Sequence, residues 1–242
     1  MTNQGAEKLM NSGTFWLPKA ISPNAPGVDD LFYFIFWLSG LFFVALIIVT
    51  GYLLIKYKKS KSNPEPQPSA SHNTVMELTW SIIPFVLLMF IFAWGYVGWL
   101  ETSVAPSGAK EIYVTGQKWY WEFRYPKEDL NTSNDLVIPI NTPIKLIMTS
   151  KDVIHSFFIP NARTKRDVLP NRYTTYWFES NELGSFQIFC TEFCGDQHST
   201  MLATLRVLPA DEYEEWVEKE KAGNESLPLD QLGKKLYSSK GC

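Results

Sequence analysis

Cys190, Cys194, His198 and Met201 fall within the run Cys-Thr-Glu-Phe-Cys-Gly-Asp-Gln-His-Ser-Thr-Met. Two thiols, an imidazole and a thioether are soft donors that select copper or zinc over hard cations, and the thioether favours copper. A blue-copper site uses one Cys, which leaves the second without a role; two thiolates bridging two coppers use both. The rival chemistry is a short disulfide in an oxidising compartment. A disulfide has no use for His198, for Met201, or for the isolated His155, 35 positions before Cys190. A binuclear site needs one imidazole for each metal, and away from the apolar segments the candidates are His155 and His198. The third histidine, His72, lies in a different region of the chain. No phosphate-cradling glycine motif, nucleophile–base triad or internal repeat is evident.

Those donors need elements to hold them, and the chain divides into two unlike halves. A net charge of −3 over 242 residues suggests an ordinary soluble protein only because the halves are averaged. Leu31 to Ile55 is apolar without one charge, and Leu78 to Leu100 is a second such run. Each exceeds the ~20 residues that cross a bilayer core, so two transmembrane helices are expected, at about 31–57 and 76–100. Lys56, Lys58, Lys59 and Lys61 follow the first run, ahead of a Pro/Ser-rich stretch over Asn63 to Ser71. This excess of lysine in a short loop places the loop in the cytoplasm and both ends of the chain on the other side. Residues 1–29 form an external segment without the basic leader and short apolar core of a cleavable signal. Trp80 and Trp99 suit the two interfacial belts. Glu77 opens the second span. It is either an acid in the first turn of a helix, favoured there by the dipole, or an ionisable group of a proton path.

From Glu111 to Leu208 short strand-like runs alternate with turn residues: 111–116, 118–125, 136–140, 144–149, 173–179, 185–190 and 202–208. This pattern predicts a Greek-key β-sandwich or barrel over 102–208, with the donors in the loop before the last strand and at a strand end. In Gly-Gln-Lys-Trp-Tyr-Trp-Glu-Phe, 116–123, alternation would put Trp119 and Trp121 on one face. They are core packing, or an indole that carries electrons inward from a docked protein. Tyr213, Trp216 and Val217 share one face of a short acidic helix over 211–221, with a linker over 222–228. The sequence given ends on Cys242.

With these residues in place the chain closely resembles subunit II of haem–copper cytochrome c oxidases. The resemblance covers about 29 to 208. It is carried by Cys-x-Glu-x-Cys-x-x-x-His-x-x-Met, by Asp-Val-Ile-His-Ser, by Gly-Gln-Lys-Trp-Tyr-Trp, and by His72-Asn73-Thr74 through Glu77, Trp80 and Pro84. It implies a two-helix transmembrane hairpin, then an all-β cupredoxin domain and a short C-terminal helix. It also implies a dinuclear copper centre, CuA, that takes electrons from cytochrome c. They pass to the haems of subunit I, where O₂ is reduced to water with proton translocation. Cys190 and Cys194 would bridge the coppers, with His155 and His198 at the two ends. Met201 and the carbonyl of Glu192 would complete the set. The Glu192 carboxylate would reach a Mg²⁺ shared with subunit I, Trp119 would receive the electrons, and Glu77 would stand at a proton-channel mouth.

The resemblance further implies subunit III and membrane lipid as neighbours, with no nucleic acid. It points to a bacterial inner membrane with the copper domain on the periplasmic side. Gly-x-x-Leu-Tyr-x-x-x-Gly-Cys at 233–242 also resembles the opening of a c-type cytochrome domain, as in oxidases of the caa3 type. A haem c would then follow if the chain continues past Cys242. A quinol oxidase subunit would share the fold without the copper ligands. The alternative function is a membrane-anchored copper carrier or sensor, which would need neither Glu77 nor the Trp119 block; a purely structural subunit is the third reading.

Overall fold

Long charge-free runs of Leu, Ile, Phe and Val satisfy their backbone hydrogen bonds most simply as single helices, and the computed structural model has them so. It describes residues 13–59, 65, 70–226, 228, 230, 231, 233, 234 and 237. The Lys61 position, most of the Pro/Ser stretch and Cys242 lie outside them. Helix α1 spans Ala25–Tyr57 and α2 spans Thr74–Ser103. At ~1.5 Å per residue either is long enough to cross a ~30 Å hydrocarbon core. Between them Phe34 packs on Phe90 and Trp94, with ring centroids 5.9 and 5.6 Å apart.

The start of α2 is closed reciprocally. The Asn73 side-chain carbonyl accepts the Met76 N–H at 3.1 Å, and Glu77 Oε1 accepts the Asn73 N–H at 3.1 Å. The bland reading of Glu77 thus has a concrete geometry, since its carboxylate is engaged in the helix cap.

The hairpin, Gly27–Trp99, and the described residues on either side of it form two separate units. The second unit is a sandwich of two five-stranded sheets. One has the order β3 (Leu130–Ser133), β2 (Tyr120–Tyr125), β1 (Lys110–Gln117), β5 (Ile144–Ser150), β8 (Thr174–Phe178). The other runs β4 (Asp135–Pro139), β10 (Leu202–Leu208), β9 (Gly184–Cys190), β6 (His155–Ile159), β7 (Thr164–Val168). Strands β1 and β5 pair in parallel, as do β4 and β10, while the remaining neighbours are antiparallel. Burial alternates strictly along β1 from Ile112 and along β5, the period expected of strands with one face on a core. That core includes Ile112, Val114, Trp121, Phe123, Phe157 and Leu205, all fully buried. Removing an indole as enclosed as Trp121 costs ~3–5 kcal/mol.

Three strands depart from the sequence expectation. β3 and β7 are sheet edges of polar sequence, Leu-Asn-Thr-Ser and Thr-Lys-Arg-Asp-Val, and lack the apolar alternation that betrays a strand. β6 is buried at four of its five positions and so shows no alternation either. The expected strand over 118–125 is also shorter. The chain turns at Lys118–Trp119 and β2 begins at Tyr120, so Trp119 does not share a strand face with Trp121.

Helix α3, Ala210–Ser226, continues through much of the expected linker, for no proline intervenes before Pro228. It buries Tyr213, Trp216 and Val217, with Trp216 edge-on to Tyr125 at 5.6 Å. The segment ahead of α1 is tied to the same sandwich. Ile21 is fully buried, its N–H donates to the Asn161 carbonyl at 3.0 Å, and Lys19 pairs with Glu182 at 2.8 Å.

Candidate metal centre

The ends of three strands bring the donors together. His155 begins β6, Cys190 ends β9, and Met201 immediately precedes β10. The β9–β10 ladder closes the loop between them, with Leu202 opposite Phe189 and the Cys190 N–H donating to the Met201 carbonyl at 3.3 Å. Within the loop, Gly195 takes φ +122°, a region that disfavours side chains, and a single 3₁₀ turn over His198–Thr200 returns the chain.

Cys190 and Cys194 are buried and reduced, their sulfurs 3.8 Å apart. His155 Nδ1 lies 3.8 Å from Cys190 Sγ, and the Glu192 carbonyl lies 3.3 Å from the same sulfur. Around Cys194 Sγ stand His198 Nδ1 at 3.5 Å and Met201 Sδ at 3.7 Å. Each sulfur thus faces its partner sulfur, one imidazole nitrogen and one weaker donor. This arrangement is not a disulfide, and the donor set fits two soft metal ions sharing two thiolates. Ligand atoms of His155, Cys190 and Cys194 all lie within 4.8 Å of one another.

Electrostatics separates the two thiols. Burial opposes charge on Cys190, but hydrogen bonds from His155 and from the Ser156 backbone overcome it and bring the thiol down to about 6. Burial and then the charge on Cys190 push Cys194 up to about 12. The metal-free pair therefore holds one negative charge at neutral pH. Burial disfavours the His155 imidazolium, yet Cys190 and Asp152 outweigh it and raise the group above its ordinary value. Asp152 ties the surroundings together: Oδ1 meets His155 Nε2 at 2.8 Å and Oδ2 accepts the Lys118 N–H at 2.8 Å. This is the outer hydrogen bond that fixes a ligating imidazole's tautomer and orientation.

Two glycines admit the aromatic frame. A Cβ at Gly116 would stand 3.0 Å from His155 Cδ2 and 3.2 Å from Trp121 Cζ3. A Cβ at Gly195 would stand 3.3 Å from Trp119 Cζ2. Trp121 lies 5.9 Å from the His155 ring, edge to face. Trp119 is half-buried and rests on the ligand loop. The Glu192 carboxylate is exposed while its carbonyl faces Cys190, and Glu77 belongs to the hairpin, not to this cluster. Sequence reasoning missed Gly116 as a site residue. Its one signal was a glycine inside a strand pattern, which marks a close approach.

Fold and site define a membrane protein in which a two-helix hairpin bears a cupredoxin-type sandwich with a soft-donor loop. The family description "Cytochrome C oxidase subunit II, transmembrane domain" matches residues 10–96, and "Cytochrome C oxidase subunit II, periplasmic domain" matches 127–208. The alternative cytochrome c oxidase subunit 2 of Bradyrhizobium diazoefficiens is 29% identical over 242 residues, covering 86% of this chain and 84% of that protein. Cytochrome c oxidase subunit 2 of Cereibacter sphaeroides is 27% identical, covering 89% and 82%. The crystal structure of the periplasmic domain of subunit II (CoxB) of Bradyrhizobium japonicum is 31% identical; it covers 50% of this chain and 99% of that domain, with a TM-score of 0.48. The chain belongs to the cytochrome c oxidase subunit II family. It is a membrane protein with a periplasmic domain, a component of an oxidoreductase complex, and it associates with other oxidase subunits. CuA-type copper is consistent with this family and with the His/Cys/Cys cluster.

Proposed function

We propose that this chain is the electron-accepting subunit of a bacterial inner-membrane cytochrome c oxidase. The supporting observation is the pairing of each buried sulfur with its own imidazole nitrogen, at 3.8 and 3.5 Å, across a 3.8 Å sulfur–sulfur gap. Cys190 and Cys194 would bridge two coppers, His155 and His198 would cap them, and Met201 Sδ and the Glu192 carbonyl would complete the set. When bound, such a pair supplies one-electron transfer with one unpaired electron spread over both metals, so little rearrangement accompanies oxidation or reduction.

The chain's own residues do the rest. The sandwich fixes both ends of the ligand loop, so the donors are held before any metal arrives. Asp152 orients His155, and Trp121 and Phe157 exclude water behind it. Trp119, half-exposed above Gly195, is where electrons from cytochrome c arrive. The Glu192 carboxylate, exposed to solvent, would bind a Mg²⁺ shared with subunit I. Glu77 would stand at the mouth of that subunit's proton channel, at the cytoplasmic end of α2, where its carboxylate accepts the Asn73 N–H. Subunit III and lipid cover the remaining hairpin surface, and a haem c follows if the chain extends past Cys242.

Electron paramagnetic resonance of the copper-loaded full-length chain in detergent tests this reading. Hyperfine coupling of one electron to two equivalent copper nuclei is expected. A spectrum of one isolated copper, or failure to take up copper with Cys190 and Cys194 oxidised, would overturn it.

A further inference from the structure

At the other end of β1 from the metal site, a pocket of about 460 Å³ lies between α3 and the sandwich. Lys110 opens β1, Glu128 precedes β3, Pro139 ends β4 and Tyr213 belongs to α3, and all four line it. Lys110 is six residues along β1 from Gly116, so the pocket stands ~20 Å from the frame of the metal site. It shares no residue with the copper ligands or with the electron path proposed above.

Its polar groups are mostly acceptors, and two of them are unused. Glu128 gives Oε1 to the Lys110 ammonium at 2.6 Å, while its Oε2 is buried without a partner. Lys110 also stands over the Tyr213 ring at 4.1 Å. Tyr213 is 5% exposed, and its hydroxyl is likewise buried without a partner. Burial and then the nearby Glu128 charge hold that phenol protonated at neutral pH. At the rim Glu214 has no ion-pair partner among the described residues, and Glu218 has only Lys221, at 4.0 Å. Three carboxylates thus surround one ammonium. Buried polar atoms left unpaired are costly, and two in one pocket call for a ligand that satisfies both.

The ligand that fits has several donors, a positive charge and an apolar stem. Val217, Pro139 and the Tyr213 ring supply the apolar wall. A bare divalent cation is the poorer match, because an ammonium already holds the Glu128 carboxylate and the space is many times that of one ion. An anion is opposed by the carboxylates, and the positive end of α3 is met by its own Asp211 and Glu212. A guanidinium offers five N–H donors in one plane, enough in number for Glu128 Oε2, the Tyr213 oxygen and Glu214. We infer that this pocket binds an alkylguanidinium or alkylammonium cation, its charged head among Glu128, Tyr213 and Glu214 and its stem along Val217. Such a head comes either from a free organic dication or from an arginine side chain of a docked protein.

Calorimetric titration of the full-length chain in detergent tests this at fixed ionic strength, with agmatine and N-acetylarginine amide as probes. Saturable binding of at least one is expected, weakened about tenfold by Glu214→Gln and several-fold by Tyr213→Phe. Glu214 is exposed and the Tyr213 hydroxyl has no partner to lose, so both variants should keep the wild-type unfolding midpoint. Tighter binding of agmatine, which carries a second charge, would identify a free dication as the source. Equal or tighter binding of the amide would assign the head to a protein's arginine. No saturation by either probe would overturn the inference, as would binding that both variants leave unchanged. Magnesium chloride binding there more tightly than both probes would also overturn it and make the pocket a hard-cation site. The metal centre enters none of these outcomes, so the electron-accepting reading stands or falls separately.

Discussion

Gly116→Ala isolates the contact between the sandwich and the metal centre. The added Cβ meets His155 Cδ2 at 3.0 Å, His155 Cγ at 3.3 Å and Trp121 Cζ3 at 3.2 Å. Ordinary van der Waals contact for a Cβ begins at 3.4 Å, so the imidazole must retreat by a few tenths of an ångström. Trp121 cannot yield in its place. It is fully buried and already packs edge-on against Phe157 at 5.1 Å. The backbone at Gly116 has no positive φ, so the whole effect is steric. Overpacking of this kind costs ~1–3 kcal/mol, and for a domain of this size that lowers the midpoint of the metal-free protein by several degrees. A retreating ring also pulls Nδ1 away from Cys190 and strains the 2.8 Å contact of Nε2 with Asp152. The copper-loaded variant should then show unequal sharing of the electron between the two metals, and it should lose copper to a chelator faster than wild type. Thermal unfolding with and without copper, beside the resonance spectrum, reads both effects. Wild-type stability together with a wild-type spectrum would refute the argument that Gly116 exists to admit His155.

His198→Ala should abolish the two-copper signal while α1 and α2 still insert, since the histidine lies outside the hairpin; an unchanged spectrum would remove His198 from the ligand set. Glu77→Gln should leave reduction of the copper centre intact and slow the proton-coupled chemistry of the partner subunit. It should also cost ~1 kcal/mol or less of helix stability, because a neutral amide still accepts the Asn73 N–H; unaltered turnover would reduce Glu77 to a cap. For the metal-free protein the thiols set a pH dependence. Cys190, lowered from 9.0 to about 6, contributes stability that is fully present above its unfolded value and fades as pH falls from 9 through 6. Cys194, raised to about 12, acts oppositely: its contribution is present below 9 and is lost as pH rises toward 12. The unfolding midpoint relative to Cys190→Ser should therefore climb between pH 6 and 9, and a flat difference would contradict the single shared charge.

Much of this protein is local in character and so can be read from one sequence. Charge-free runs longer than ~20 residues have few alternatives to a helix in a membrane. A loop that spends two thiols, an imidazole and a thioether in a dozen positions makes its donor chemistry plain before any folding. The strands with apolar alternation, β1 and β5 among them, were legible for the same reason. β3, β6 and β7 were not, because edge strands and fully buried strands carry no period of two. The partner of Cys190 among the imidazoles, the engagement of Asp152 by the Lys118 N–H, and the need for glycine at 116 all depend on residues more than 30 positions apart meeting within one sheet or across the two. The separation of Trp119 from Trp121 depended on a turn that strand periodicity cannot see. The sequence by itself determined which atoms could bind metal and which segments enter the membrane. Only tertiary packing decided how those atoms face one another, because proximity between distant strands is a property of the sandwich and not of any one of them.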